Sequence, residues 1–122
     1  MTKRILVVDD SITDRKRTCD VLDQLGIKYY EAINGEDGVE KAKEILPDLI
    51  IMDVVMPKMD GLNALRAIRK EPTTKSIPVI ICSTKSQPND IAWAKAQGAK
   101  DYLVKPISGN ALAQKIFAIF GK

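Results

Sequence analysis

The stretch Leu49-Ile50-Ile51-Met52-Asp53-Val54-Val55-Met56-Pro57-Lys58-Met59-Asp60-Gly61 runs four apolar residues without interruption into a carboxylate and then into turn chemistry. A continuous apolar run of this length suits a strand covered on both faces, as in a parallel sheet, although periodicity alone also admits a short buried helix. Pro57 and Gly61 favour the strand, since both punctuate regular structure. Open parallel sheets carry their chemistry just beyond the carboxyl ends of their strands, which puts Asp53 at the mouth of such a site.

The same pattern recurs on either side. Ile5-Leu6-Val7-Val8 runs into Asp9-Asp10. Ser11 then offers a helix cap with Asp14 three residues on, and Thr18, Cys19, Leu22 and Leu25 form a helical stripe that stops at Gly26. Lys28 to Ala32, with Tyr29 and Tyr30, reads as a second strand closed by Asn34-Gly35. Val39, Ala42, Ile45 and Leu46 then repeat at helical intervals as far as Pro47. After the quoted stretch comes a helix with Leu62, Leu65, Ala67 and Ile68 on its apolar side, ended by Glu71-Pro72-Thr73-Thr74. Val79-Ile80-Ile81-Cys82 is a fourth run and ends in Ser83-Thr84; Pro88-Asn89-Asp90 opens an alanine-rich helix that closes at Gly98. Tyr102-Leu103-Val104 ends in Lys105-Pro106, and a last helix carries Leu112, Ile116, Ile119 and Phe120 before Gly121. Strands alternating with helices in this way predict an α/β protein with a parallel sheet covered on both faces and right-handed crossovers.

A chain of 122 residues is the size of one domain, so residues 1–122 are expected to form a single unit without a separate output module. The net charge of +3 is small and the basic residues are scattered. Arg15-Lys16-Arg17 is the densest basic group, and a solvated helix face accounts for it better than a track for nucleic acid. Cys19 and Cys82 fit no C-x-x-C or zinc spacing, and no segment reads as a signal peptide or as a membrane span of about 20 apolar residues. A reduced, cytoplasmic protein is expected, with Cys82 as core filler rather than a reactive thiol. The chain has no histidine, which removes Ser-His and Cys-His catalysis and histidine metal ligation together.

Asp9 and Asp10, Asp53, Ser83 and Lys105 therefore stand at the ends of the first, third, fourth and fifth apolar runs. Singly, each reads as a cap, a turn former or a solvated charge; together on one sheet edge they are hard to attribute to capping. Three close carboxylates repel and must take up protons or bind a cation. Mg2+ suits them: it wants oxygen ligands, keeps several waters and is typically held by one or two carboxylates plus substrate phosphate, whereas Ca2+ usually demands more protein oxygens. Asp10 and Asp53 are candidate direct ligands, with Asp9 acting through water. With the metal in place a carboxylate oxygen can attack a phosphoryl group, Lys105 supplying a point charge and Ser83 a neutral donor. The product is an aspartyl phosphate on Asp53.

Asp9-Asp10, Asp53-x-x-Met-Pro-x-Met-Asp-Gly, Ser83-Thr84 and Tyr102-x-x-Lys105-Pro106 closely resemble the receiver domains of two-component response regulators, in order and over essentially the whole chain. The resemblance implies the flavodoxin-like strand order 2-1-3-4-5. It implies that Asp53 accepts phosphate from the histidine of a sensor kinase or a histidine phosphotransfer domain, necessarily on another protein. It further implies a Mg2+ site of Asp9, Asp10, Asp53 and the backbone carbonyl of Val55, a cis peptide from Lys105 to Pro106, Ser83 as the switching hydroxyl and Tyr102 as the switching aromatic. The readout would pass to a downstream protein through the fourth helix, fifth strand and fifth helix, in a chain that is monomeric when unphosphorylated and does not bind nucleic acid or insert into membranes.

Two positions depart from the chemotaxis members of that family, which carry polar or acidic residues there: Val55, two past Asp53, and Lys85, two past Ser83. An apolar Val55 should hold an attacking water less well, so slower self-hydrolysis is expected than in Val55→Asn. Thr84-Lys85-Ser86-Gln87, Trp93 and Gln97-Gly98-Ala99 most resemble the stand-alone regulators of type IV pilus twitching and phototaxis systems. Trp93 reads either as an exposed partner anchor, with Lys85 beside it, or as a ring half-buried against a neighbouring helix. The expected function is thus a phosphoacceptor switch that signals by docking, alternatively a phosphate reservoir without a partner. A haloacid-dehalogenase-type phosphohydrolase would want an acid where Val55 stands. A flavodoxin-like electron carrier would want a phosphate-cradling loop where Asp9-Asp10-Ser11 stands.

Overall fold

The computed structural model describes residues 2–54 and 61–121. Strands β1 (Arg4–Val8), β2 (Lys28–Ala32), β3 (Leu49–Asp53), β4 (Val79–Ser83) and β5 (Asp101–Val104) alternate with helices α1 (Ile12–Leu25), α2 (Gly35–Ile45), α3 (Gly61–Lys70), α4 (Pro88–Ala96) and α5 (Gly109–Phe120). The strands form one sheet in the order β2-β1-β3-β4-β5, every pair parallel. This is the flavodoxin-like doubly wound architecture expected from the sequence.

The unalternated apolar runs are explained by what lies on each face. All five residues of β3 are buried. Leu49 and Ile51 pack with Cys19 and Leu22 of α1 and with Leu112 and Ile116 of α5. Ile50 and Met52 pack on the opposite face with Ala42 of α2, Leu65 and Ile68 of α3 and Ala94 of α4. Each such side chain contributes about 1.5–3 kcal/mol by leaving water, which makes β1, β3 and β4 the stable centre on which the strand ends are presented. The edge strand β2 keeps Lys28 and Glu31 exposed, as an edge requires.

Local chemistry sets the helix ends. Ser11 caps α1, its Oγ accepting the Asp14 backbone N–H at 3.2 Å, and Gly26 closes it with φ 71°. Asn34 caps α2 through the Asp37 N–H at 2.7 Å. One position differs from the sequence reading. Leu46 is not part of the buried stripe of α2: it is exposed and left-handed, φ 52°, because the following Pro47 disfavours helical backbone at the residue before it. On α3 the apolar side holds Leu62, Leu65, Ala67 and Ile68 as expected, with Ala64 buried among them. Among the described residues no helix is long and apolar enough to cross a membrane.

Candidate functional site

The carboxyl ends of β1 and β3, neighbours at the point where the strand order reverses, deliver the first two acids. Asp9 continues the pairing of β1 by one residue, its N–H donating to Ala32 O at 3.1 Å, so the carboxylate leaves a fixed backbone. Its Oδ1 accepts the Ser11 N–H at 3.0 Å and its Oδ2 accepts from Lys105 Nζ at 2.9 Å. Arg15 of α1 braces the same turn, donating to Asp9 O at 2.7 Å and to Glu31 of β2 at 2.9 Å. Asp53 is the last residue of β3; its Oδ1 accepts the Val54 N–H at 2.8 Å and its Oδ2 lies 3.5 Å from Lys105 Nζ. Asp10 is exposed, and Asp9, Asp10 and Asp53 can each present a carboxylate oxygen within 4.8 Å of the others.

Burial pushes the Asp53 carboxyl above its ordinary range; the Lys105 charge opposes this and the Asp9 charge adds to it. Burial alone would lower the Lys105 pKa, but hydrogen bonds to Asp9 and Asp14 and the charges of Asp9 and Asp53 outweigh it, and the ammonium is held above its usual value. The pocket therefore carries a charged lysine and an acid that is costly to ionise.

Ser83, at the end of β4, is buried, and its Oγ accepts the Lys85 N–H at 3.1 Å. The Lys85 carbonyl in turn accepts from the buried Tyr102 hydroxyl of β5 at 2.9 Å. Lys105 follows β5, its N–H donating to Ser83 O at 2.8 Å, and the Lys105–Pro106 peptide is cis. The fold thus brings Asp9, Asp10, Asp53, Ser83, Tyr102 and Lys105 to one end of the sheet. Val55, expected to offer a carbonyl, lies outside the described residues.

Trp93 is placed as a half-buried ring against a neighbouring helix, one of the two sequence alternatives. Its ring is half exposed, and it rests against α3, where the Arg66 guanidinium sits 5.6 Å from the ring centroid and donates to Gln97 at 2.9 Å. Trp93, Lys85 and Tyr102 line one small cavity of about 40 Å3 with Val54 and Leu62. Cys19 and Cys82 are buried and unpaired, and burial pushes both thiols up to about 12, which leaves them inert.

Two residues of this region escape the sequence reading. Asp14 appeared there only as a capping partner, yet its Oδ2 is 2.9 Å from Lys105 Nζ; an acid one helical turn past the Asp9-Asp10 pair was the available signal. Gly61 donates its N–H to Val54 O at 2.7 Å, and a Cβ there would collide with the Asp53 carbonyl oxygen and stand 2.8 Å from Val54 Cα. The helix that follows Asp53 can pack this close to the strand end only without a side chain.

Doubly wound topology, an acid cluster at the switch point and a lysine from the last strand end define a class of aspartate-centred α/β proteins. The profile described as the response regulator receiver domain matches residues 5–117. Protein PilH of Pseudomonas aeruginosa is 44% identical over 95% of this chain and 96% of its own length. The chemotaxis protein CheY of Thermotoga maritima is 37% identical over the same shares, 95% and 96%. The receiver domain of the sensor histidine kinase PA1611 from Pseudomonas aeruginosa, crystallised with a magnesium ion coordinated in its active site cleft, superposes with a TM-score of 0.91 at 26% identity, covering 100% of both chains. The chain belongs to the family of response regulator receiver domains. Members are phosphoacceptor switches of two-component systems; phosphorylation on aspartate, Mg2+ binding in the acidic site and interaction with kinases and downstream targets are general features of the family.

Proposed function

We propose that this chain is a response regulator in which Asp53 is the phosphoacceptor, the donor being a phosphohistidine of a sensor kinase or a histidine phosphotransfer domain. One observation carries the reading: three carboxylates able to converge within 4.8 Å, one of them the last residue of the central strand, beside a charged lysine. The donor set is all oxygen and suits a hard divalent cation. Asp10 and Asp53 would hold Mg2+ directly. Asp9, whose two oxygens already accept from Ser11 and Lys105, would act through water, and the Val55 carbonyl is the further ligand that the family implies. Bound there, the metal would neutralise charge on the phosphoryl oxygens.

The transfer is an in-line displacement. An Asp53 carboxylate oxygen forms the new O–P bond while the P–N bond to the donor histidine breaks. The electron pair goes to the ring nitrogen, and imidazole leaves neutral because its other nitrogen carries a proton. Lys105 reaches the transferred group as a cationic donor. Ser83 accepts from Lys85 N–H and its hydroxyl also hydrogen-bonds with the Tyr102 side chain, so turning the hydroxyl toward a phosphoryl oxygen would exchange that contact for the new one. If the Ser83 hydroxyl moves inward to that oxygen, the Lys85 backbone moves with it, and the Lys85 carbonyl is what holds Tyr102. The added charge thereby biases the packing of the β5 and α4 surface that a downstream protein would read. The resemblance to PilH supports an output in pilus-based motility or taxis.

Incubation with acetyl phosphate and Mg2+, followed by intact mass, tests the assignment. One phosphoryl adduct per chain is expected for the native protein and none for Asp53→Asn; label on another residue overturns it, and repeated turnover of a generic phosphate ester would mark a hydrolase instead.

A further inference from the structure

Lys105 serves three carboxylates at once. Its Nζ is 2.9 Å from Asp9 Oδ2, 2.9 Å from Asp14 Oδ2 and 3.5 Å from Asp53 Oδ2. An ammonium has three donors, and here the two short contacts go to Asp9 and Asp14. Asp9 and Asp53 belong to the acid cluster, but Asp14 stands on the first turn of α1 at the rim, with its side chain 37% exposed. Its position is set independently, because its own N–H is held by the Ser11 cap.

We propose that Asp14 is a positioning residue for Lys105: it holds the ammonium on the α1 side of the pocket and so leaves the Asp53 carboxylate to a divalent cation and to the incoming phosphoryl group. This rests on the receiver reading above. Without Asp14, the remaining acidic partners of the ammonium among the described residues are Asp9 and Asp53, and it closes on the oxygens that a cation needs. Losing Asp14 also removes a negative charge from the rim. Both changes weaken cation binding, so the sign of the effect is determined. At 3.5 Å the lysine is still near enough to donate to a phosphoryl oxygen once one is attached to Asp53.

Mg2+ titration by calorimetry at constant ionic strength, on the native chain, Asp14→Asn and Asp14→Glu, reads this directly. Asp14→Asn is expected to bind Mg2+ about three- to tenfold more weakly, the size of losing one partly screened charge and its positioning effect. Asp14→Glu should recover most of that loss. The Mg2+ concentration that gives half-maximal labelling by acetyl phosphate should rise by the same factor in Asp14→Asn. In a Lys105→Met background the effect of Asp14→Asn should shrink to the part due to the lost rim charge, about twofold, because no ammonium remains to be held. Native-like Mg2+ affinity in Asp14→Asn, no recovery in Asp14→Glu, or an equal loss with and without Lys105 would each overturn the proposal. A native chain that takes up neither Mg2+ nor a phosphoryl group overturns the receiver reading itself, and this inference with it.

Discussion

Lys105 and Asp53 face each other at 3.5 Å in a pocket where both side chains are nearly enclosed, 9% and 11% exposed. The ion pair is close enough to lower the cost of the Asp53 charge but too long for a tight hydrogen bond. Asp53 is thus kept ionisable without being tied up by a tight ion pair, as its proposed role as nucleophile requires, and Lys105 is kept charged by its other partners.

Removing that lysine leaves the enclosed acids without their internal cation. Breaking a buried charge cluster by deleting one partner costs about 3–5 kcal/mol, and Lys105→Met is expected to lose toward the lower end because Asp14 stays partly hydrated. Mg2+ should restore part of the loss, since the ion replaces the missing charge. Urea melts with and without Mg2+ measure both; a variant as stable as the native chain in the absence of metal contradicts the role. The initial labelling rate with acetyl phosphate should fall by about tenfold or more, as expected for removing one charge aimed at the transferred group.

Asp53→Asn should stabilise the metal-free protein at neutral pH. The folded-state pKa of Asp53 lies above its unfolded value, chiefly through burial, so ionising it costs stability as pH rises through that interval. Asparagine carries no such cost. The gain over the native chain should therefore be small near pH 4, about the ordinary carboxylate pKa, and larger at pH 7. A gain of about 1 kcal/mol would raise Tm by roughly 4 °C in a domain of this size. Mg2+ should reverse the order by binding the native fold, worth about 2.7 kcal/mol at a hundredfold excess over Kd. Calorimetric scans at the two pH values, with and without the ion, check each sign.

How much of this was legible beforehand depended on whether a residue's fate is decided locally. Strand ends are local: uninterrupted apolar runs fixed where Asp9, Asp53, Ser83 and Lys105 leave the sheet, and parallel topology then brings those ends to one edge. Asp14 was not legible as a partner of Lys105, 91 residues away, because that contact joins the first turn of α1 to the residue after β5, which only the folded sheet brings together. Gly61 read as turn punctuation, whereas its actual constraint is the approach of α3 to the Asp53 backbone. Trp93 stayed undecided because its single-helix pattern carries no sign of Arg66 on α3.

Gly61→Ala follows from that approach. The new Cβ would strike the Asp53 carbonyl oxygen, which belongs to backbone and cannot rotate aside. Either α3 moves away from the strand end or the Asp53–Val54 peptide turns, and both shift Asp53, the proposed phosphoacceptor. The expected cost is about 2–4 kcal/mol, in the range for steric strain forced on a packed site. Labelling by acetyl phosphate should fall even below the denaturation midpoint. Native stability and native labelling together would show that this close packing is not needed.

Trp93 is the single tryptophan, so its emission reports one place, the small cavity it shares with Lys85 and Tyr102. Phosphorylation that draws on Ser83 should disturb the Lys85 carbonyl and hence the Tyr102 hydroxyl, and the emission is expected to change on adding acetyl phosphate and Mg2+. Tyr102→Phe removes the 2.9 Å bond to the Lys85 carbonyl and should cost about 1 kcal/mol. With that tether gone before any phosphoryl group arrives, the resting spectrum of Tyr102→Phe should already lie part of the way toward the phosphorylated one, with a smaller remaining change. A resting spectrum and amplitude identical to the native chain would break the link from Ser83 through Lys85 to Tyr102.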